Sequence, residues 1–227
     1  MGSDFQAREE RLFTLRSQLP AGVRLLAVSK GHPADPVRQL AGLGQLDFGE
    51  SRVQEALPKQ AALGDLDNLR WHFIGRLQAN KVRPVVKSFS VIHSIDSLAL
   101  AQRVDRIASE EGVRPDGFLQ VKLRPDPSKG GWDPGALAEA WPELQALTSL
   151  RIGGLMAMAP QGLDGKARRS LFRECRALAD RMNLRECSMG MSGDWRDAAE
   201  EGATWVRVGS ALFGPRPLTP GVNGTPN

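Results

Sequence analysis

Lys30 is the residue with the most evident chemical potential. It closes the apolar run Leu25-Leu26-Ala27-Val28-Ser29-Lys30, and Gly31-His32-Pro33 breaks the run at once. A run of this kind reads as a buried strand, ended by its Gly and Pro. A lysine at the end of a buried strand is costly to keep charged. Burial would lower its pKa and leave a free amine able to attack a carbonyl. A plainer reading stands beside this one, in which the ammonium reaches water along its aliphatic stem.

Two later turns, Met191-Ser192-Gly193 and Gly209-Ser210, offer small residues, backbone N–H groups and hydroxyls. Both lead toward helix starts, which favour an anion such as a phosphate, although ordinary turns prefer the same residues. Arg207 lies between Val206 and Val208. If the valines face a helix layer, strand alternation turns Arg207 the other way. An inward guanidinium stays charged and needs an acceptor. Glu50 or Asp47 could supply one through a salt bridge, and so could a ligand atom. An amine, a phosphate cradle and an arginine in search of an acceptor together suit a phosphorylated aldehyde. Pyridoxal 5'-phosphate (PLP) fits, with the amine forming a Schiff base and the arginine bonding the pyridine nitrogen. A class I aldolase would use the same lysine and phosphate, but it needs an acid/base pair near the lysine, and none is evident.

Other familiar chemistry is not supported. The Gly162–Lys166 stretch is too short for a nucleotide-binding P-loop, and Gly190-Met191-Ser192-Gly193 only approaches a nucleophile elbow. His32, His72 and His93 lack the spacing of a metal site.

These residues need a scaffold that gathers strand ends. After an amphipathic N-terminal helix over 4–18, capped by Ser3 or Asp4, eight strand candidates follow. They end near Lys30, Glu50, Gly75, Ile95, Leu123, Met158, Met191 and Gly209. Helical stretches alternate with them, and Pro84 makes the one over 78–86 the least regular. This is the pattern of a (β/α)8 TIM barrel with one extra N-terminal helix. An open doubly wound sheet is the alternative, but its Gly-rich first turn is missing. In a barrel, active sites form at the C-terminal ends of the strands, and the loops after strands seven and eight often hold phosphate. Those loops carry Ser192 and Ser210.

Bulk properties agree with a globular protein. The 227 residues are 41% hydrophobic and 25% charged, the size and composition of one barrel. No apolar run is long enough for a membrane helix, and no leader pattern opens the chain. Cys175 and Cys187 are expected as free buried thiols in a cytoplasmic protein. The net charge of +4 is mild. The basic residues from Lys166 to Arg185 read as a solvated helix face, and no nucleic-acid partner is expected. Residues 1–214 are expected to form the barrel domain, with a disordered Pro- and Gly-rich tail over 215–227.

Ala27-Val28-Ser29-Lys30, Phe48-Gly49-Glu50-Ser51-Arg52-Val53-Gln54-Glu55 and the segment from Trp71 to Lys81 resemble successive signatures of the PLP homeostasis proteins. These are single-domain relatives of the barrel domain of bacterial alanine racemase. Gly154–Met158, Ser188–Ser192 and Val206–Gly214 continue the resemblance in order, so that it runs from about Leu25 to Gly214. The resemblance implies that Lys30 carries PLP as an aldimine. It also implies that Met191, Ser192, Gly209 and Ser210 hold the phosphate and that Arg207 faces the pyridine nitrogen. Ser51 is a further candidate cofactor contact by the same resemblance, although it stands where the family commonly has Asn; Gly130 stands where the family has Ser, and Arg76 where it has Pro.

PLP drives carbanion chemistry best with a protonated ring nitrogen, and a facing arginine disfavours that proton. Alanine racemase works with such an arginine, but it also uses a tyrosine from a second domain as a second base. This chain contains no tyrosine and ends soon after strand eight. The expected protein therefore binds, buffers and delivers PLP without robust catalysis. It would do so as a cytoplasmic monomer, with PLP-dependent apoenzymes as recipients and neither nucleic acid nor membrane as partner. A weak PLP-dependent racemase-like enzyme is the alternative.

Overall fold

A computed structural model describes residues 2–126 and 129–215. Helix α1 (Gly2–Gln18) precedes eight parallel strands: β1 (Arg24–Val28), β2 (Asp47–Glu50), β3 (Arg70–Phe73), β4 (Val91–Ile95), β5 (Asp116–Gln120), β6 (Arg151–Met156), β7 (Glu186–Met191) and β8 (Trp205–Val208). The strands lie side by side in sequence order, and β8 pairs with β1 to close the barrel. Between them run α2 (Ala34–Gly42), α3 (Val53–Ala62), α4 (Val82–Ser88), α5 (Leu98–Glu110), α6 (Pro134–Gln145), α7 (Gly165–Arg181) and α8 (Trp195–Glu200), and a single turn, α9 (Ser210–Phe213), follows β8. The expected (β/α)8 barrel with an N-terminal helix is the observed architecture. The helix already includes residues 2–4, so neither Ser3 nor Asp4 stands before it as a cap. Of the expected tail, all but Pro215 lies outside the described residues.

Strand alternation divides the core into two layers. Leu25 and Ala27 of β1 and Val206 and Val208 of β8 face outward, where they pack with Leu40, Leu137, Phe172 and Leu178 of the helices. Leu26, Val91, Phe118, Met156 and Trp205 form a smaller apolar group inside the barrel. The interior also holds the buried polar residues His72, His93, Ser188 and Arg207.

Two prolines are accommodated within helices. Pro84 is the third residue of α4, where a backbone N–H has no intrahelical acceptor, so the helix forms around it. Pro142 sits inside α6 on an exposed position, where water can satisfy the freed carbonyl. The basic face of α7 finds acidic partners on and just after α8: Arg168 pairs with Asp197 at 2.5 Å, Arg169 with Glu201 at 3.0 Å and Arg173 with Glu201 at 2.9 Å. Cys175 on α7 and Cys187 on β7 are free and buried. Among the described residues, no helix is long and apolar enough to cross a membrane.

Candidate functional site

A cavity of about 620 Å³ opens where the C-terminal ends of β1, β6, β7 and β8 converge. Lys30, Met191, Ser192, Arg207, Gly209 and Ser210 all line it. Six of the seven residues singled out from the sequence therefore share one cavity. Ser51 stands apart. It follows β2, it is not among the lining residues, and its backbone carbonyl comes so close to Gly75 that a Cβ there would lie 2.0 Å from the oxygen.

Lys30 is not the last residue of a strand. β1 ends at Val28, and Lys30 sits two residues further on, half-buried in a turn with Gly31 at φ +75°. That turn is fastened from below. Ser29, fully buried, donates its hydroxyl to Glu50 Oε1 at 2.7 Å. Lys59 Nζ donates to the Ser29 carbonyl at 2.8 Å and forms an ion pair with Glu50. The ends of β1 and β2 are thus tied together immediately before Lys30. Glu50 Oε2 is buried and makes no hydrogen bond among the described residues.

The two turns expected to cradle an anion touch each other. The Gly209 N–H donates to Ser192 Oγ at 3.2 Å, which leaves the serine proton available. The Met191 N–H donates to Asp194 Oδ1 at 2.6 Å. Gly190 (φ +83°) presses on α8 so closely that a Cβ would lie 2.6 Å from Ala198 Cβ. The helix starts contribute less than the sequence suggested. With α8 at six residues and α9 at four, few peptide dipoles add up. Local N–H groups of the first turn, which lack intrahelical acceptors, are the donors these helix starts can offer an anion.

Arg207 faces inward as strand alternation predicts, level with Leu26 of β1, and is 5% exposed. Neither Glu50 nor Asp47 bonds to it: the first pairs with Lys59 and the second with His72. Arg207 Nη1 donates to the Ser188 carbonyl at 2.7 Å and to Ser188 Oγ at 2.8 Å, and Nη2 donates to the Ala157 carbonyl at 3.0 Å. Burial lowers its pKa to about 10, against the opposing pull of Asp194 and Cys175. It is still a cation at neutral pH. Its remaining N–H groups are available to an acceptor in the cavity.

Sequence reasoning missed several lining residues. Ile74, Met156, Met158 and Gln161 complete the walls, and His32, stacked on Phe213 with ring centroids 5.0 Å apart, forms part of the rim. The i, i+2 spacing of Met156 and Met158 at the end of β6 was a usable signal. His72 and His93, far apart in sequence, meet inside the barrel at 2.9 Å.

Fold and site together define a class. The family model described as "Alanine racemase, N-terminal domain" matches residues 3–217. Alanine racemase of Clostridium difficile 630 superposes with a TM-score of 0.79 over 96% of this chain and 61% of its own; at 14% identity this likeness concerns the fold alone. Much nearer is the pyridoxal phosphate homeostasis protein of Synechocystis sp., 48% identical over 204 residues, covering 87% of this chain and 94% of the relative. PipY of Synechococcus elongatus PCC7942, solved with PLP bound, is 51% identical with a TM-score of 0.88, over 91% of this chain and 100% of its own. The chain belongs to the pyridoxal phosphate homeostasis protein family, within the wider group of alanine racemase N-terminal-domain barrels.

Proposed function

We propose that this protein binds PLP in the cavity between β1, β7 and β8 and serves PLP homeostasis as a binder and buffer, without robust catalysis. One observation carries the reading: an amine, two hydroxyl-bearing turns and a buried guanidinium line the same 620 Å³ cavity. When bound, PLP supplies an aldehyde that an amine can capture and a ring that can withdraw electrons. Lys30 provides that amine and holds the cofactor as a Schiff base. Ser192, Ser210 and the N–H groups around Met191 and Gly209 receive the phosphate. Arg207 donates to the ring nitrogen and, as a cation, keeps a proton off it. Ser51 fits this arrangement less well than the other six, because it lies outside the cavity lining.

Two considerations support a binder over an enzyme. Disfavoured protonation of the ring nitrogen weakens the electron sink. The sequence also has no tyrosine to act as a second base. Relatives named for PLP homeostasis, and PipY with PLP bound, fit the same reading. Delivery to apoenzymes, action as a monomer and a cytoplasmic location complete it. Adding PLP should produce an absorption band near roughly 420 nm that is missing in Lys30→Ala. Amino-acid racemisation should stay at background in both proteins. Robust turnover that disappears in Lys30→Ala would overturn the binder reading in favour of an enzyme.

A further inference from the structure

Behind Arg207 the barrel interior contains a chain of side chains that the PLP reading does not use. It starts at Arg207 and runs across β7, β4 and β3 to β2. Arg207 Nη1 lies 2.8 Å from Ser188 Oγ, Ser188 Oγ 2.9 Å from His93 Nδ1, His93 Nε2 2.9 Å from His72 Nδ1, and His72 Nε2 2.9 Å from Asp47 Oδ1. Ser188, His93 and His72 are wholly buried, while Asp47 is partly exposed at the opposite end of the barrel from Lys30. The rings are held in place. His93 stacks on Phe118 with centroids 4.4 Å apart and planes 9° apart, and His72 meets the edge of Trp205 at 5.1 Å.

The two ends fix the direction of every bond between them. Arginine can only donate, and an ionised carboxylate can only accept. Burial lowers the pKa of His72 and lowers that of His93 well below the ordinary value, so each ring carries one proton at neutral pH. Since Asp47 accepts, His72 must carry its proton on Nε2, and its Nδ1 is bare. His93 therefore donates from Nε2 and has a bare Nδ1, which accepts the Ser188 hydroxyl proton. Ser188 Oγ in turn accepts from Arg207. The reverse assignment would set a bare His72 nitrogen against the carboxylate.

We propose that Asp47, His72, His93 and Ser188 are positioning residues for Arg207, forming a one-directional hydrogen-bonded chain that aims its guanidinium at the cavity. Ser188 and the Ala157 carbonyl occupy donors on one side of the guanidinium, so the remaining N–H groups must face the cavity. Asp47 provides a negative terminus for the chain on the far side of the barrel. The role in cofactor binding rests on the reading that Arg207 faces the PLP ring nitrogen.

Nitrogen-15 NMR of the histidine rings, on protein free of PLP, tests the chain by itself. Both His72 and His93 should be Nε2–H tautomers, and an Nδ1–H tautomer at His93 would overturn the proposal whether or not PLP binds. The second arm reads the PLP spectrum and affinity. Ser188→Ala should weaken PLP roughly tenfold and move its absorption band. Ser188→Thr, which keeps the hydroxyl, should restore both. If Ser188→Ala does not fold, Asp47→Asn at the partly exposed end should shift the band in the same direction by less. A fall in melting temperature with spectrum and affinity unchanged would mean a structural role only and would overturn the proposal. Loss of the PLP band in Lys30→Ala tells that failure apart from failure of the PLP reading itself.

Discussion

The two layers of this barrel are built on opposite principles. Between sheet and helices the packing is mostly apolar, with Phe48, Leu119, Phe172 and Val206 all fully buried and the Ser29–Glu50–Lys59 cluster the main polar exception among the described residues. Inside the barrel a few apolar side chains share the space with His72, His93, Ser188 and Arg207, every one of them hydrogen-bonded. Burying apolar area stabilises the outer layer at about 25 cal/mol per Å². The inner layer gains little net stability, because each polar group exchanges a bond to water for a bond to protein. In return the interior has fixed directionality. The outer layer holds the barrel shut, and the inner layer, through Met156 and Arg207, lines the cavity at the open end.

Substitutions can break this division or sharpen it. Phe172→Ala in the outer layer should cost about 3–5 kcal/mol in denaturant unfolding, while the folded fraction keeps its PLP affinity. Lost affinity at unchanged stability would show that the layers are not separable. Arg207→Ala should reverse the pattern. It should weaken PLP binding at least tenfold or shift its spectrum, with a stability loss of about 1–3 kcal/mol for the acceptors left unpaired. If spectrum and affinity are both unchanged, the pyridine contact is wrong.

The histidines make the inner layer sensitive to acid. Burial depresses both pKa values, so below about pH 6.5 the unfolded chain binds protons that the folded chain refuses. Their contribution to stability is complete above that pH and is lost as the pH falls through it. The melting temperature should drop between pH 7 and 5, and His93→Gln should flatten that drop. Arg173→Ala, which opens an exposed pair with Glu201, should have the smallest effect of all and leave PLP affinity unchanged.

The same division explains what the sequence made legible. Outer-layer residues reveal themselves by periodicity, and eight apolar runs alternating with helices were enough to specify the barrel. Strand alternation at Val206-Arg207-Val208 turned Arg207 inward, as observed. The small residues at Met191-Ser192-Gly193 and Gly209-Ser210 marked the two turns that meet through Ser192 and Gly209. The histidine chain was not legible, because His72 and His93 come together only when two strands are set side by side with known facing. Strand length was also hidden. Nothing in the run to Lys30 indicates that pairing stops at Val28. Ser51 was carried by resemblance alone, and it is the one candidate outside the cavity.

The most direct test of the account is covalent trapping. The purified protein, incubated with PLP, should be reduced with borohydride, digested, and the pyridoxyl-bearing peptide sequenced. The account predicts loss of the absorption band and a single label on Lys30. A label on any other lysine, or no label on a protein that still binds PLP, would contradict it.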